Sequence, residues 1–373
     1  MRSNTAELRD LLHNALTTRS ETQHIIDLQN AGQPVAQQFM AAGQRELQLL
    51  REIPAPAAPA SALRVGTPSL HPQIHDSQRY LQYQRGLINL HRETGIPPTI
   101  KILNGEICKT GELAIAGGTY SDIWLGLWLG EKKVALKALR NVRSSDPRAK
   151  KRFENEINLW SDLKNDHILP FYGIVTNLGQ HIHMVSPWQE NGNVLEYIKA
   201  HSDANRIHLV HGAAQGLEYL HSRKIIHGNM KCANILVSIN GKACICDFGM
   251  SKVIEEVTEK SASATLTAGG SARWLAPELI EGKAPTTEAD VYSNAMAILE
   301  LLTEKHPFAD CKRDAAVIYG LVVLKKTPTR PEEKETSRWL SDALWNLMQR
   351  CWHKDAASRP SMKEVTSFIA SIM

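Results

Sequence analysis

The sequence has no long apolar run, no dense block of like charge and no complete pairing pattern of cysteines. No stretch approaches the roughly 18 consecutive apolar residues that a transmembrane helix needs. A net charge of +4 on 373 residues, without extended Lys/Arg clusters, gives no sign of a nucleic-acid or membrane surface. The N-terminus also lacks the apolar segment of a secretory signal. We expect a cytoplasmic protein without membrane insertion, and leave a nuclear location open.

Cysteine is sparse and scattered. Of the six cysteines, only Cys244 and Cys246 are close in sequence, and no second pair completes a zinc site. We therefore expect ordinary reduced cysteines, as is usual in an intracellular protein.

The chain before residue 107 changes character twice. Residues 1–52 are polar and helix-favouring, and we expect a helical extension there. Residues 53–76 are rich in Pro and Ala, which is typical of a linker. Residues 77–106 begin with an amphipathic helix over 77–94 and continue as a connector. This helix is either a brace packed on the following domain, which we favour, or a separate partner-binding helix.

Short β-rich runs follow residue 105, and helical patterns dominate after residue 190. The β-rich runs include "SDIWLGLWL" and "KKVALKAL". Helices are expected near residues 147–164, 206–223, 287–303, 311–325, 339–351 and 361–371. The pattern predicts a small β-rich lobe with one helix, followed by a larger helical lobe.

Six short motifs occur in a fixed order between residues 116 and 278. Taken singly, each has an ordinary interpretation: "AGGTYS" is a turn, and "VALK" is a strand that ends in a surface lysine. Their fixed order makes them significant together, because the probability that all six occur in this order by chance is negligible. They are "AGGTYS", "VALK", a helix with Glu156, H-x-x-x-K-x-x-N from His227, "DFG" from Asp247, and "APE" ending at Glu278.

Over residues 107–372 the chain resembles a protein kinase catalytic domain. The segments "GGSARWLAPE", "DVYS…ELLT…PF" and "CW…RP" are most similar to the tyrosine-kinase-like group, which includes Raf and mixed-lineage kinases. The resemblance implies an α+β, bilobal protein kinase fold over 107–373, in addition to the helical N-terminal extension. The β-rich N-lobe with one helix would cover 107–189, and the helical C-lobe 190–373.

The resemblance also implies ATP and Mg²⁺ as cofactors. Lys137 of "VALK" would contact the α- and β-phosphates and pair with Glu156, and Lys231 would meet the γ-phosphate. Asn234 and Asp247 would hold Mg²⁺, which prefers oxygen ligands. The full set expected around the nucleotide is Ala116, Gly117, Gly118, Ser121, Ile123, Ala135, Lys137, Ser186, Trp188, Asn234 and Asp247.

Further residues would support the lobes rather than touch nucleotide. Glu278 and Arg359 would form a buried ion pair, and Asp290 would brace the loop that begins at His227. An aromatic spine is implied as well; its members would be Trp160, Phe171, His227 and Phe248. These assignments support the fold rather than activity.

Two departures from the family pattern concern the glycine loop and an arginine. The three glycines of G-x-G-x-x-G align to Ala116, Gly118 and Ser121, so only the middle one remains. Added Cβ atoms hinder close approach of the backbone to phosphates, and we expect weakened nucleotide binding. Gly228 replaces the arginine that binds a phosphorylated activation loop. We therefore predict no phosphoswitch of the usual kind at Ser261, Ser263, Thr265 or Thr267.

The third departure is Asn229, which stands where the family has its catalytic Asp. A carboxamide accepts a hydrogen bond but cannot take the substrate proton. General base catalysis contributes roughly 10²–10⁴ in rate, whereas phosphoryl transfer depends mostly on positioning and charge stabilisation. No Asp or Glu lies within residues 227–234. The triplet H-G-N also resembles the pseudokinase domains of Janus kinases.

We therefore expect an ATP-binding domain that is a pseudokinase or a strongly impaired kinase, acting by allostery or scaffolding on an unknown protein partner. The alternative is an active Ser/Thr protein kinase with slow turnover, which Lys231 two places after Asn229 would favour over a tyrosine kinase. A small-molecule phosphotransferase of the same fold is a distant third.

Overall fold

A computed structural model describes most of the chain and divides it into two compact units. The described residues are 33–52, 77–117, 121–143, 160–248, 270–332, 336 and 338–373. Among the described residues, 33–52, 77–115, 123–138 and 172–186 belong to the first unit. The remaining described residues belong to the second unit. The helix predicted over 147–164 lies mostly outside the described residues.

Two helices come first among the described residues of the first unit. Helix α1 covers Gln33–Glu52 and helix α2 covers Ser77–Thr94, which matches the amphipathic helix predicted over 77–94. Both helices bury side chains at helical spacing: Met40 and Leu47 on α1, and Tyr83, Leu87 and Leu90 on α2.

The helices approach each other closely at Gly43. A Cβ atom at this glycine would lie 2.5 Å from Cδ2 of Leu87, so no larger residue fits without a shift. The absent side chain therefore sets how near α1 can lie to α2.

A six-stranded sheet carries the β-rich part of the chain. Its strands are β1 Ile107–Lys109, β2 Ala116–Gly117, β3 Ser121–Trp128, β4 Lys132–Arg143, β5 Gly173–Val175 and β6 His181–Pro187. They lie in the order β1-β3-β4-β6-β5, with β2 paired to β3. Antiparallel pairing sets Ile107 opposite Trp128 and Gly173 opposite Val185.

One face of the strands in the first unit packs in the same core as α1 and α2. Trp128 on β3 and Val134 and Leu136 on β4 are fully buried in one cluster with Leu87. Because strand side chains alternate, Ala135 and Lys137 lie on the other face of β4. Helix α2 is therefore a brace packed on these strands, which confirms the favoured of the two interpretations.

The second unit is mainly helical. Its helices are α3 Val194–Ala200, α4 Arg206–Ser222, α5 Pro277–Ile280, α6 Thr287–Thr303, α7 Asp314–Val322, α8 Asp342–Cys351 and α9 Met362–Ser371. A two-stranded antiparallel sheet joins β7, Ile235–Val237, to β8, Ala243–Ile245. Helix α6 is buried over 289–302, so it forms the centre of this unit. The expected α+β class, with a β-rich part and a helical part, is confirmed.

Two helices begin three residues later than the sequence pattern suggested. Helix α8 begins at Asp342 instead of 339, because the side chain of Ser341 accepts the N–H of Leu344 as an N-cap. Helix α7 begins at Asp314 instead of 311, and it ends at Val322 before Lys325 turns to a φ of 50°. Within the described residues, no helix has the length and apolar character needed to cross a membrane.

Candidate functional site

The loop from His227 to Asn234 is held from below by one carboxylate. Asp290 on the buried helix α6 accepts the backbone N–H of His227 at 2.7 Å and that of Gly228 at 2.8 Å. Its Oδ2 atom also lies 2.9 Å from Nε2 of His221. The expectation that Asp290 braces this loop is confirmed.

Gly228 takes a conformation that suits glycine. Its φ is 77°, in the left-handed region where a Cβ atom is costly. The turn lets two successive N–H groups point at Asp290.

Asn229 is tied into the loop through its backbone. The side-chain Nδ2 of Asn234 donates to the carbonyl oxygen of Asn229 at 2.7 Å, and the N–H of Asn229 donates to Nδ1 of His227 at 3.3 Å. Burial lowers the pKa of His227 although the charges of Asp290 and Asp247 oppose this effect. A neutral imidazole whose Nδ1 accepts this hydrogen bond fits that environment.

Asp247 follows strand β8 in an unusual backbone conformation. Its φ of 64° is in the left-handed region, which is uncommon for a residue other than glycine. Its neighbours Cys246 and Phe248 are buried, and the N–H of Cys246 donates to the carbonyl oxygen of Asn234 at 2.9 Å. Such strain concentrates at functional sites, where the surrounding structure holds it in place.

Lys231 connects the loop to the segment that contains "GGSARW". Its Nζ donates to Oγ of Ser271 at 3.0 Å and lies 5.8 Å from the ring centre of Trp274. Buried Glu300 joins the same two segments, because it accepts from the N–H of Cys232 and from Nε1 of Trp274. The ammonium group of Lys231 is thus held against the segment 271–274, and its predicted contact with the γ-phosphate stays a prediction.

The sequence reasoning gave no role to Ser271 or Glu300. A signal for Glu300 was present, because it is a lone carboxylate inside the apolar run "MAILELLT" of helix α6. Buried charges persist where they are hydrogen-bonded, and Glu300 has two donors.

The predicted ion pair of the helical unit is present, and the predicted spine residues form two ring pairs, whose joining into one spine stays a prediction. Arg359 is fully buried at its side chain and donates to both carboxylate oxygens of Glu278. The ring pairs Trp160–Phe171 and His227–Phe248 have centroid distances of 5.3 and 6.5 Å. The predicted Glu278–Arg359 ion pair is therefore confirmed.

The predicted site residues divide between the two units. Ile123, Ala135, Lys137 and Ser186 belong to the first unit. Residues of the second unit are Ala116, Gly117, Ser121, Trp188, Asn229, Lys231, Asn234 and Asp247. Gly118, Glu156 and the Ser/Thr cluster at 261–267 lie outside the described residues, so their predicted roles stay predictions.

The residues expected to hold Mg²⁺ have suitable donor chemistry. Nδ2 of Asn234 is used within the loop, so its Oδ1 is the atom suited to a cation. Asp247 adds a carboxylate from the adjoining segment. No group of three or more His, Cys, Asp or Glu side chains in the described part of the chain forms a metal cluster. One carboxylate and one amide fit Mg²⁺, which commonly completes its shell with water and phosphate oxygens.

Comparison with known proteins finds similarity to protein kinases, as the sequence motifs predicted. The family model described as protein tyrosine and serine/threonine kinase matches residues 110–369. The chain is 30% identical over 263 residues to serine/threonine-protein kinase STY46 of Arabidopsis thaliana, covering 69% of this chain and 43% of that protein. Serine/threonine-protein kinase 12 of the same plant is 29% identical over 282 residues, which are 74% of this chain and 59% of that protein. The chain thus spans less than two thirds of the length of either relative.

Proposed function

The chain belongs to the protein tyrosine and serine/threonine kinase family, and from this premise we propose that it is an ATP-binding pseudokinase or strongly impaired kinase that acts by allostery or scaffolding. It is most similar to the tyrosine-kinase-like group, and its relatives are serine/threonine kinases.

The observation that carries the proposal is the contrast between an ordered loop and its missing base. The loop 227–234 has defined hydrogen bonds to Asp290 and Glu300, yet residue 229 is Asn. An amide there can orient a hydroxyl but cannot accept its proton. Loss of a general base lowers the rate by roughly 10²–10⁴, which is about 3–5 kcal/mol in the barrier.

The residues proposed for nucleotide binding are still present. Lys137 and Lys231 would neutralise phosphate charge, and the oxygens of Asn234 and Asp247 would hold Mg²⁺. When bound, Mg²⁺ supplies positive charge that screens the phosphate oxygens. Reduced glycine content in the loop that includes Ala116 and Ser121 would weaken this binding.

Slow Ser/Thr kinase activity is the second candidate. It is supported by Lys231, whose Nζ donates to Oγ of Ser271 at 3.0 Å, because this hydrogen bond would hold in place the cation proposed to meet the γ-phosphate. Because charge stabilisation supplies much of the catalysis in phosphoryl transfer, a residual rate would survive the loss of the base.

The chain's partner would then be a protein, recognised in a nucleotide-dependent way. A bound nucleotide stabilises whichever conformation binds it better, so nucleotide and partner binding would be coupled.

Thermal unfolding with and without Mg-ATP tests the proposal, with autophosphorylation followed on the same samples. We expect a rise in Tm that Lys137→Ala removes, without phosphate incorporation. Incorporation that depends on Lys137 would instead support the slow kinase. The absence of both a rise in Tm and phosphate incorporation would contradict nucleotide binding itself.

A further inference from the structure

A cavity in the helical unit carries an excess of positive charge that none of the functions above uses. It has a volume of about 760 Å³ and lies among the ends of helices α5, α7 and α8. Its apolar wall includes Leu321, Tyr292 and Trp352, which are all buried. The loop 227–234 does not line it.

The charges that line the cavity do not cancel. Four exposed lysines stand around it, and they are Lys283, Lys325, Lys326 and Lys354. Glu278 is already neutralised by Arg359 beneath it. The carboxylates of Glu281 and Asp355 remain, and they face four lysine ammonium groups. With His353 neutral, the lining has an excess of two positive charges.

The two remaining carboxylates are already engaged. Glu281 lies 3.2 Å from Nζ of Lys325. The carboxylate of Asp355 accepts from Oγ of Ser358 at 2.7 Å and from the N–H of Ala357 at 3.3 Å. Within the described part of the chain, Lys283, Lys326 and Lys354 have no carboxylate partner.

Ordered backbone turns carry the lysines. The N–H of Lys326 donates to the carbonyl oxygen of Gly320 at 2.9 Å, and that of Lys283 donates to the carbonyl oxygen of Glu278 at 3.0 Å. Lys354 directly precedes the turn that Asp355 caps. Fixed backbones reduce the entropy lost when the ammonium groups bind one anion.

Two polar atoms lie beneath the wall without partners in the described residues. They are Nε1 of Trp352 and Oη of Tyr292. An indole N–H only donates, and a phenol O–H donates readily. Both atoms are buried, so the donors open to a ligand are the lysine ammonium groups of the rim, which suit a ligand that is rich in acceptor oxygens.

We propose that this cavity binds a phosphomonoester dianion, supplied either by a phosphorylated Ser or Thr of a protein or by a small organic phosphate. A phosphomonoester has a charge of about −1.5 to −2 at neutral pH, which matches the excess charge of the lining. Its oxygens accept from ammonium groups, and the apolar wall accommodates the organic part. A carboxylate has a smaller negative charge and fits less well.

The binding experiment uses the full chain and three probes: inorganic phosphate, N-acetyl-phosphoserine amide and N-acetyl-glutamate amide. Titration calorimetry compares wild type with the triple variant Lys283→Ala, Lys326→Ala and Lys354→Ala. The control triple variant is Lys199→Ala, Lys312→Ala and Lys363→Ala, which are exposed lysines outside the cavity. Both triple variants lose the same charge. The Lys137→Ala variant separates this site from the proposed nucleotide site.

We expect the cavity triple variant to weaken phosphoserine binding by about tenfold or more, because three charge-assisted contacts are lost. The control triple variant and Lys137→Ala should stay within about twofold of wild type. Tighter binding of phosphoserine than of inorganic phosphate supports a phosphorylated side chain as the source, and tighter binding of inorganic phosphate would show that the cavity does not accommodate the organic part of a phosphomonoester. Equal losses in both triple variants, binding of the glutamate probe as tight as that of phosphoserine, or no binding of any probe would overturn the proposal.

Discussion

Gly228 donates its backbone N–H to Oδ1 of Asp290 at 2.8 Å while its own φ is 77°. Both facts belong to one turn, which also aims the N–H of His227 at Asp290. In this chain, glycine thus occupies the left-handed turn before Asn229, at the position where the family has arginine.

Replacement of Gly228 by Ala should lower stability. A Cβ atom in the left-handed region costs about 1–2 kcal/mol, and the turn cannot relax without loss of the hydrogen bonds to Asp290. Urea unfolding measures the change. Gly320→Ala in helix α7 is the control: its φ is not positive, its nearest neighbour atom lies 3.7 Å away, and Ala favours a helix. Equal destabilisation in both variants would contradict the strain argument.

The N-terminal helices should contribute to the stability of the β-rich unit. Leu87→Ala removes a fully buried side chain from the core shared with Trp128, and we expect a loss of about 2–5 kcal/mol. Leu81→Ala is the same chemical change on the same helix at a side chain that is 48% exposed, and it should cost well under about 1 kcal/mol. Denaturant unfolding compares the two. Similar effects would mean that α2 does not brace the strands.

Glu106 should make stability depend on pH. It is 2% exposed, and burial raises the pKa of its carboxyl, although Nε1 of Trp128 and Nε2 of Gln44 both donate to it. An acid with a raised pKa in the folded state stabilises the fold most below its unfolded pKa of about 4.5, and this contribution declines as pH rises through the folded pKa.

The Glu106→Gln variant tests this dependence, because its amide does not titrate. We expect the unfolding free energy of wild type to fall relative to that of the variant as pH rises above about 4.5. Glu46→Gln, at a carboxylate on α1 that lies 3.8 Å from Nη2 of Arg79, is the control. A difference between wild type and Glu106→Gln that is constant from acid to neutral pH would show that the carboxyl of Glu106 is not perturbed.

The Glu278–Arg359 ion pair should contribute strongly to the stability of the fold. Arg359 is fully buried at its side chain, so Glu278→Ala leaves an uncompensated charge and should cost about 3–5 kcal/mol. The control is Asp166→Ala, which breaks the exposed pair with Lys242 and should cost at most about 1 kcal/mol. Thermal unfolding distinguishes them. A small effect of Glu278→Ala would mean that the pair is not needed for the fold.

Local patterns in the sequence predicted much of the helical unit and the bracing of its central loop. Helix α2 was predicted over its full length because its apolar spacing is regular, and Asp290 was assigned from its motif. The hydrogen bonds of Glu106 were not predictable, because Gln44 and Glu106 are 62 residues apart and only the packing of α1 brings them together. The start of helix α8 was missed by three residues because the cap at Ser341 outweighed the periodicity.

Phosphate transfer from labelled Mg-ATP tests the central claim most directly, with wild type beside Asn229→Asp and Lys137→Ala and with nucleotide binding checked on the same samples. We predict that wild type binds nucleotide without detectable transfer, and that Asn229→Asp gains activity by roughly 10²–10⁴ because the carboxylate restores the base. Transfer by wild type that is as fast as that of Asn229→Asp, and that Lys137→Ala abolishes, would contradict the account and would identify a kinase that works without the usual base.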